Sequence, residues 1–154
     1  MGDRTYYRLA LPADLDHEAI RMAAIAFTDE PWTDDDVTRL LDHTRPDQTL
    51  WVDIEERSVG ECREAAEAVL TALHEEGQDI AFTVSEDPKY EWLGTLCRYQ
   101  PGKGMHEVDC DANAQAVLTD GELAALIRTL ADPAAILDRI TATLGLDWRT
   151  PAAV

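Results

Sequence analysis

An α+β fold is what this sequence predicts: one domain over residues 1–154, a mostly antiparallel central sheet, and helices packed mainly on one face. Three observations predict it. Alternating apolar residues and helical apolar spacing both occur, the alternating runs crowd into the middle of the chain, and Pro101-Gly102-Lys103-Gly104 signals a hairpin between two of them. The expected element order is β-α-α-β-α-β-β-β-(β)-α-α.

Thr5 to Leu11 reads as a strand, with Tyr7, Leu9 and Leu11 on one side before Pro12. Asp16 can cap a helix that carries Ile20, Ala24 and Phe27 at helical spacing, and Pro31-Trp32 breaks it. Thr33-Asp34-Asp35-Asp36 opens a second helix through Val37, Leu40 and Leu41, which Pro46 ends. Thr49 to Glu55 alternates again, through Leu50, Val52 and Ile54. Ser58-Val59-Gly60-Glu61 has the form of a capping box, in which a hydroxyl and a carboxylate take orphan N–H groups at a helix start. The helix it opens has the clearest apolar stripe in the chain, Cys62, Ala66, Val69 and Leu73, and Gly77 closes it.

Ile80, Phe82 and Val84 form a strand that stops at Ser85-Glu86-Asp87-Pro88. Trp92 to Tyr99 and Met105 to Cys110 are the two arms of the hairpin, and a short strand from Gln115 to Leu118 is expected to follow. Thr119-Asp120-Gly121-Glu122 is a second capping box, opening a helix with Leu123, Leu126, Ile127 and Leu130 directed inward. Asp132 as N-cap and Pro133 at the first helical position start the last helix, through Ile136, Ile140 and Leu144 to Gly145.

At 154 residues the chain can bury roughly 70% of its unfolded surface, so it needs neither disulfide nor metal to fold. Thirty-one Asp and Glu against thirteen Lys and Arg leave a formal net charge of −18. That charge argues against direct binding to nucleic acid phosphates or an anionic membrane, both of which need a positive face. With only two lysines against eleven arginines, a composition bias of the genome or a salt-adapted host also accounts for it. Three cysteines without close pairing suggest reduced thiols, and no leader-type or membrane-spanning apolar run is present, so a cytoplasmic protein is expected.

The stretch Met105-His106-Glu107-Val108-Asp109-Cys110-Asp111-Ala112-Asn113-Ala114-Gln115 concentrates the side chains that bind metals. Zinc needs four Cys or His ligands in close pairs, which the scattered cysteines and histidines do not supply. His106-Glu107 matches half of a zinc deaminase signature, but the cysteine half is absent. Asp109, Asp111, Asn113 and Asp120 fall at four places of a calcium loop, yet Ala114 stands where the loop requires glycine. A turn between strands, with Asp and Asn capping the backbone, is the simpler expectation. Neither a metal nor a cofactor is therefore expected, although a calcium-stabilised domain using residues 109–120 remains an alternative.

Catalytic motifs are missing as well. There is no nucleophile elbow, phosphate loop or dinucleotide fingerprint, and Ser58 and Ser85 are the only serines. The first expectation is accordingly a non-enzymatic protein-interaction domain binding a protein partner, a basic one among those considered, in an inhibitor, immunity or nucleic-acid-mimic role. Tyr90, Trp92 and Tyr99 would supply anchors, and Asp53, Glu55, Glu56, Glu86, Asp87, Glu107 and Asp109 the charge. The other expectation is a small-molecule-binding or enzymatic domain with a pocket between sheet and helices.

Overall fold

A computed structural model describes residues 4–45, 48–89 and 93–148, with the side chains of Glu56 and Arg57 excepted. Its elements run β1 (Arg4–Pro12), α1 (His17–Thr28), α2 (Asp34–Asp42), β2 (Thr49–Ser58), α3 (Cys62–Glu75), β3 (Phe82–Glu86), β4 (Gly94–Gln100), β5 (Gly104–Cys110), α4 (Asp120–Thr129) and α5 (Pro133–Leu144). The five strands make one sheet in the order β2-β1-β3-β4-β5, every neighbouring pair antiparallel. This is the predicted α+β architecture, in the predicted element order.

Strand alternation decides the layers. Tyr7, Leu9 and Leu11 of β1, Leu50 and Val52 of β2, Phe82 and Val84 of β3, and Cys97 and Tyr99 of β4 share one core. Against them α1 contributes Ala19, Ile20, Ala23 and Phe27, α2 contributes Val37, and α3 contributes Ala65, Ala66, Val69 and Leu73. Each large aliphatic or aromatic side chain buried there stabilises the fold by about 1.5–3 kcal/mol relative to exposure. The middle strand β3 is buried along its whole length, so both of its faces are covered.

The other face of the sheet carries Arg98 and His106, directly opposite each other across β4 and β5. Their side chains reach the C-terminal end of α5. Arg98 Nη1 donates to the carbonyls of Leu144 and Gly145, at 2.8 and 2.9 Å, and His106 Nε2 lies 3.1 Å from the Ala142 carbonyl. The Trp148 ring stacks on the His106 ring at 5.2 Å, and Lys103 pairs with Asp147. Gly145 makes the closure possible: its φ is +63°, and a Cβ would lie 2.7 Å from both Arg98 Nη1 and His106 Cε1.

Three local signals behave as expected. Asp16 accepts from the Ala19 N–H, Thr119 and Glu122 form a reciprocal capping box, and Asp132 caps α5. Two differ. Residues 115–118 form no strand, only a single bridge from Ala116 to Cys110. Asp111 is the reason: its Oδ1 accepts from both Asn113 and Gln115, which curls the backbone into a tight turn. The Ser58 capping box does not form either. Ser58 is the last residue of β2, Gly60 turns at φ +90°, and α3 has no local side-chain cap. Its approach is capped from a distance instead, since Glu86 accepts from the Gly60 N–H and the Tyr7 hydroxyl accepts from the Glu61 N–H.

Candidate functional site

The sequence-selected residues separate into three groups. Asp53 is exposed on β2, on the face away from α1–α3, and pairs with Arg8 at 2.8 Å. Glu55 is exposed beside it, and the register of β1 against β2 slips by one residue here, placing Glu55 and Glu56 opposite Tyr6 in a bulge. Glu107 and Asp109 are exposed on β5. Because β2 and β5 are opposite edges of the sheet, these acids do not converge on one surface.

The second group lies inside. Glu86 is only 3% exposed, and Tyr99 only 7%, its hydroxyl donating to Asp79 at 2.6 Å and its ring against Phe82. These two are corrections to the surface set: alternation along β3 and β4 turns both toward α3, so neither can meet a partner. Asp87 is half-buried, and burial raises its carboxyl above the usual range. Tyr90 and Trp92 lie outside the described residues.

Glu86 belongs to a buried polar cluster at the start of α3. Burial raises its pKa, only partly offset by the Gly60 N–H and the Tyr7 hydroxyl. Burial likewise raises Tyr7, whose hydroxyl donates to the Ser58 carbonyl. Cys62 is raised by its contact with Cys97 and by burial, and burial pushes Cys110 to about 12. Thiols held protonated and away from solvent are poor nucleophiles. In front of this cluster an open cleft of about 540 Å³ is lined by Thr28, Asp29, Ile54, Ser58 and Glu61, yet Glu86 stays behind its wall.

The C-terminal helices present the more unusual surface. Both are well started by their caps, and both carry the aliphatic residues expected of core helices. None of those residues is buried. Leu123 is 39% exposed, Ile127 57%, Leu137 64%, and Leu146, just beyond α5, 65%. By contrast α1 buries five residues and α3 six. Scattered exposed leucines are ordinary, but here Leu126, Leu130, Ile136, Ile140 and Leu144 are only partly buried while Leu123, Ile127, Leu137 and Leu146 stand exposed beside them.

Beside these helices a groove of about 200 Å³ follows β5, lined by Glu107, Val108, Asp109, Val117, Glu122 and Thr143. Glu122 accepts from both the N–H and hydroxyl of Thr119, which holds its carboxyl below the usual range and keeps it charged. Glu107 lies 3.7 Å from Arg63. Among the described residues no three His, Cys, Asp or Glu side chains gather to hold a metal ion. The helices offer exposed aliphatic surface, and carboxylates line the groove beside them.

Glu107 and Asp109 lie exposed on β5, while the two helices, expected to direct their apolar residues inward, leave Leu123 and Ile127 exposed. The apolar spacing of α4 and α5 was visible. Periodicity identifies a stripe, however, and cannot say whether the fold supplies something to cover it.

Comparison with known families adds one finding. Residues 45–151 match a family described as a protein of unknown function, DUF3145. The chain belongs to this family. The DUF3145 match takes in β2 through α5, and so the whole groove and both exposed helices; β1, α1 and α2 precede it. No curated protein and no solved structure was found to match.

Proposed function

We propose that this chain is a non-enzymatic protein-interaction domain whose partner docks on the α4–α5 pair. The observation that carries the reading is the absence of any buried residue in two capped, apolar helices. Fully covering one Leu or Ile side chain is worth about 1.5–3 kcal/mol, so a partner covering Leu123, Ile127, Leu137 and Leu146 would gain several kcal/mol. The end of α5 is held by the bonds from Arg98 and His106, and Leu126, Leu130, Ile136, Ile140 and Leu144 are partly buried. A surface that is both apolar and positioned loses little entropy on binding.

The test is an I127S/L137S double variant. Both positions are exposed, so its melting temperature and circular dichroism should match the parent's, because surface substitutions usually change stability by about 0.5 kcal/mol or less. Captured from host extract, a partner should stay on the parent chain and be lost from the variant by more than about tenfold. A parent chain that retains nothing, or the same protein retained equally by both, overturns the proposal.

A further inference from the structure

We infer that Cys62 and Cys97 are a redox-active dithiol that closes to a reversible disulfide, with the Glu107 carboxylate taking the first proton. The inference is independent of the docking reading. Both sulfurs lie on the α3 face of the sheet, whereas Arg98 and His106 meet α5 on the other. Cys62 opens α3 and is 1% exposed; Cys97 lies in β4 and is fully buried. Val84 and Cys97 are cross-strand partners, and Thr95 precedes Cys97 by two residues, on the same face of β4. Cys62 Sγ lies 3.4 Å from the carbonyls of both Val84 and Thr95, which seats it over the strand pair that carries Cys97. The two thiols are in hydrogen-bond contact. Cys110 can replace neither, because it points to the opposite face and packs with Leu96 and Val108.

Buried thiols are ordinarily inert, and what sets this pair apart is its polar edge. Glu107 stands opposite Cys97 on β5, an edge strand, and its Oε2 lies 4.0 Å from Cys97 Sγ. The same oxygen lies 3.7 Å from Arg63 Nη1, and both side chains are about half-exposed. The Cys97 sulfur is therefore one carboxylate away from solvent. Exposed side chains change rotamer within picoseconds to nanoseconds, which lets an oxidant as small as a peroxide reach it. Arg63 supplies positive charge beside the developing thiolate.

The chemistry balances with one hydrogen peroxide. Glu107 takes the Cys97 proton, the sulfur attacks one peroxide oxygen, and the O–O bond breaks. The departing hydroxide takes the proton from Glu107 and leaves as water. Cys97 is then a sulfenic acid. The Cys62 sulfur attacks the Cys97 sulfur, the S–S bond forms as the S–O bond breaks, and hydroxide leaves with the Cys62 proton as a second water. Two thiols supply the two electrons that the peroxide accepts.

The experiment treats the reduced full chain with hydrogen peroxide at neutral pH, then alkylates the remaining thiols in denaturant. Untreated chain should take three alkyl groups and treated chain one, at Cys110. Mapping without reductant should join the Cys62 and Cys97 peptides, and a dithiol reductant should restore all three thiols. C62S should instead hold Cys97 as the sulfenic acid, trapped by dimedone. E107Q changes an exposed side chain, so it should keep the parent's circular dichroism while slowing disulfide formation by about tenfold or more. Three alkyl groups after peroxide, a bond through Cys110 or between two chains, or a bond formed only in urea overturns the inference. An E107Q chain that reacts as fast as the parent overturns the role of Glu107 and leaves the pair standing.

Discussion

Glu86 sits in a position where its charge is costly. The residue lies 3% exposed at the end of β3, and burial raises its carboxyl pKa above the ordinary 4.5. A raised folded-state value means that the folded chain holds its proton more tightly than the unfolded chain does. The resulting stability is fully present below pH 4.5 and is lost as pH rises through the elevated folded value. Glutamine can keep the acceptor for the Gly60 N–H without a charge to bury. E86Q should therefore raise the urea midpoint at pH 8 relative to the parent, and the gap should shrink at pH 4. Equal gaps at the two pH values would show that burial of charge is not what shifts this group. The helix-start carboxylates Asp36 and Glu122 act in the opposite sense, since hydrogen bonds from Thr33 and Thr119 hold them below their ordinary values. Their contribution is lost as pH falls, in parent and E86Q alike, so it cancels in the comparison.

Elements differ in where their ends find partners. At α4 the capping groups lie three residues apart, Thr119 and Glu122, and the signature can be read directly. At α3 they lie far away in the chain. The Tyr7 hydroxyl on β1 donates to the Ser58 carbonyl and accepts from the Glu61 N–H at 3.0 Å, tying the end of β2 to the start of α3. Y7F leaves both backbone groups without that partner while keeping the ring in the core. The expected cost is about 1–3 kcal/mol in chemical denaturation, with amide exchange quickening first at the start of α3. A loss under ~0.5 kcal/mol would mean that other groups or water replace the hydroxyl. The Ser58 capping box fails for the same reason: sequence shows nearby partners and not distant ones.

For the whole molecule the dominant fact is charge. Seven Lys or Arg ion pairs are formed among the described residues, most between exposed side chains worth about 0–1 kcal/mol each. Against them stand eighteen unbalanced negative charges on a 17.1 kDa chain. Salt screens both, but the excess acts over the whole surface and the pairs only locally. The melting temperature should therefore rise between low and high sodium chloride at neutral pH, and a fall would mean that the local pairs outweigh the net repulsion. Among the described residues no helix is long and apolar enough to cross a membrane.

Much of the fold was legible in the sequence because its determinants are local. Alternation along β1, β2 and β3, the helix caps at Asp16, Thr119 and Asp132, and the glycine turn between β4 and β5 each depend on residues a few positions apart. The candidate site was legible only in part. Glu107 and Asp109 could be seen as exposed acids, but Glu86 and Tyr99 looked equally available until strand pairing turned them toward α3. The apolar stripes of α4 and α5 resembled those of α1 and α3. Only the tertiary structure decided that the first pair is partly covered and the second fully, because burial depends on which elements the chain brings together. The sequence by itself determined the elements, their order and the excess of negative charge; the packing of the sheet decided which apolar faces have a neighbour.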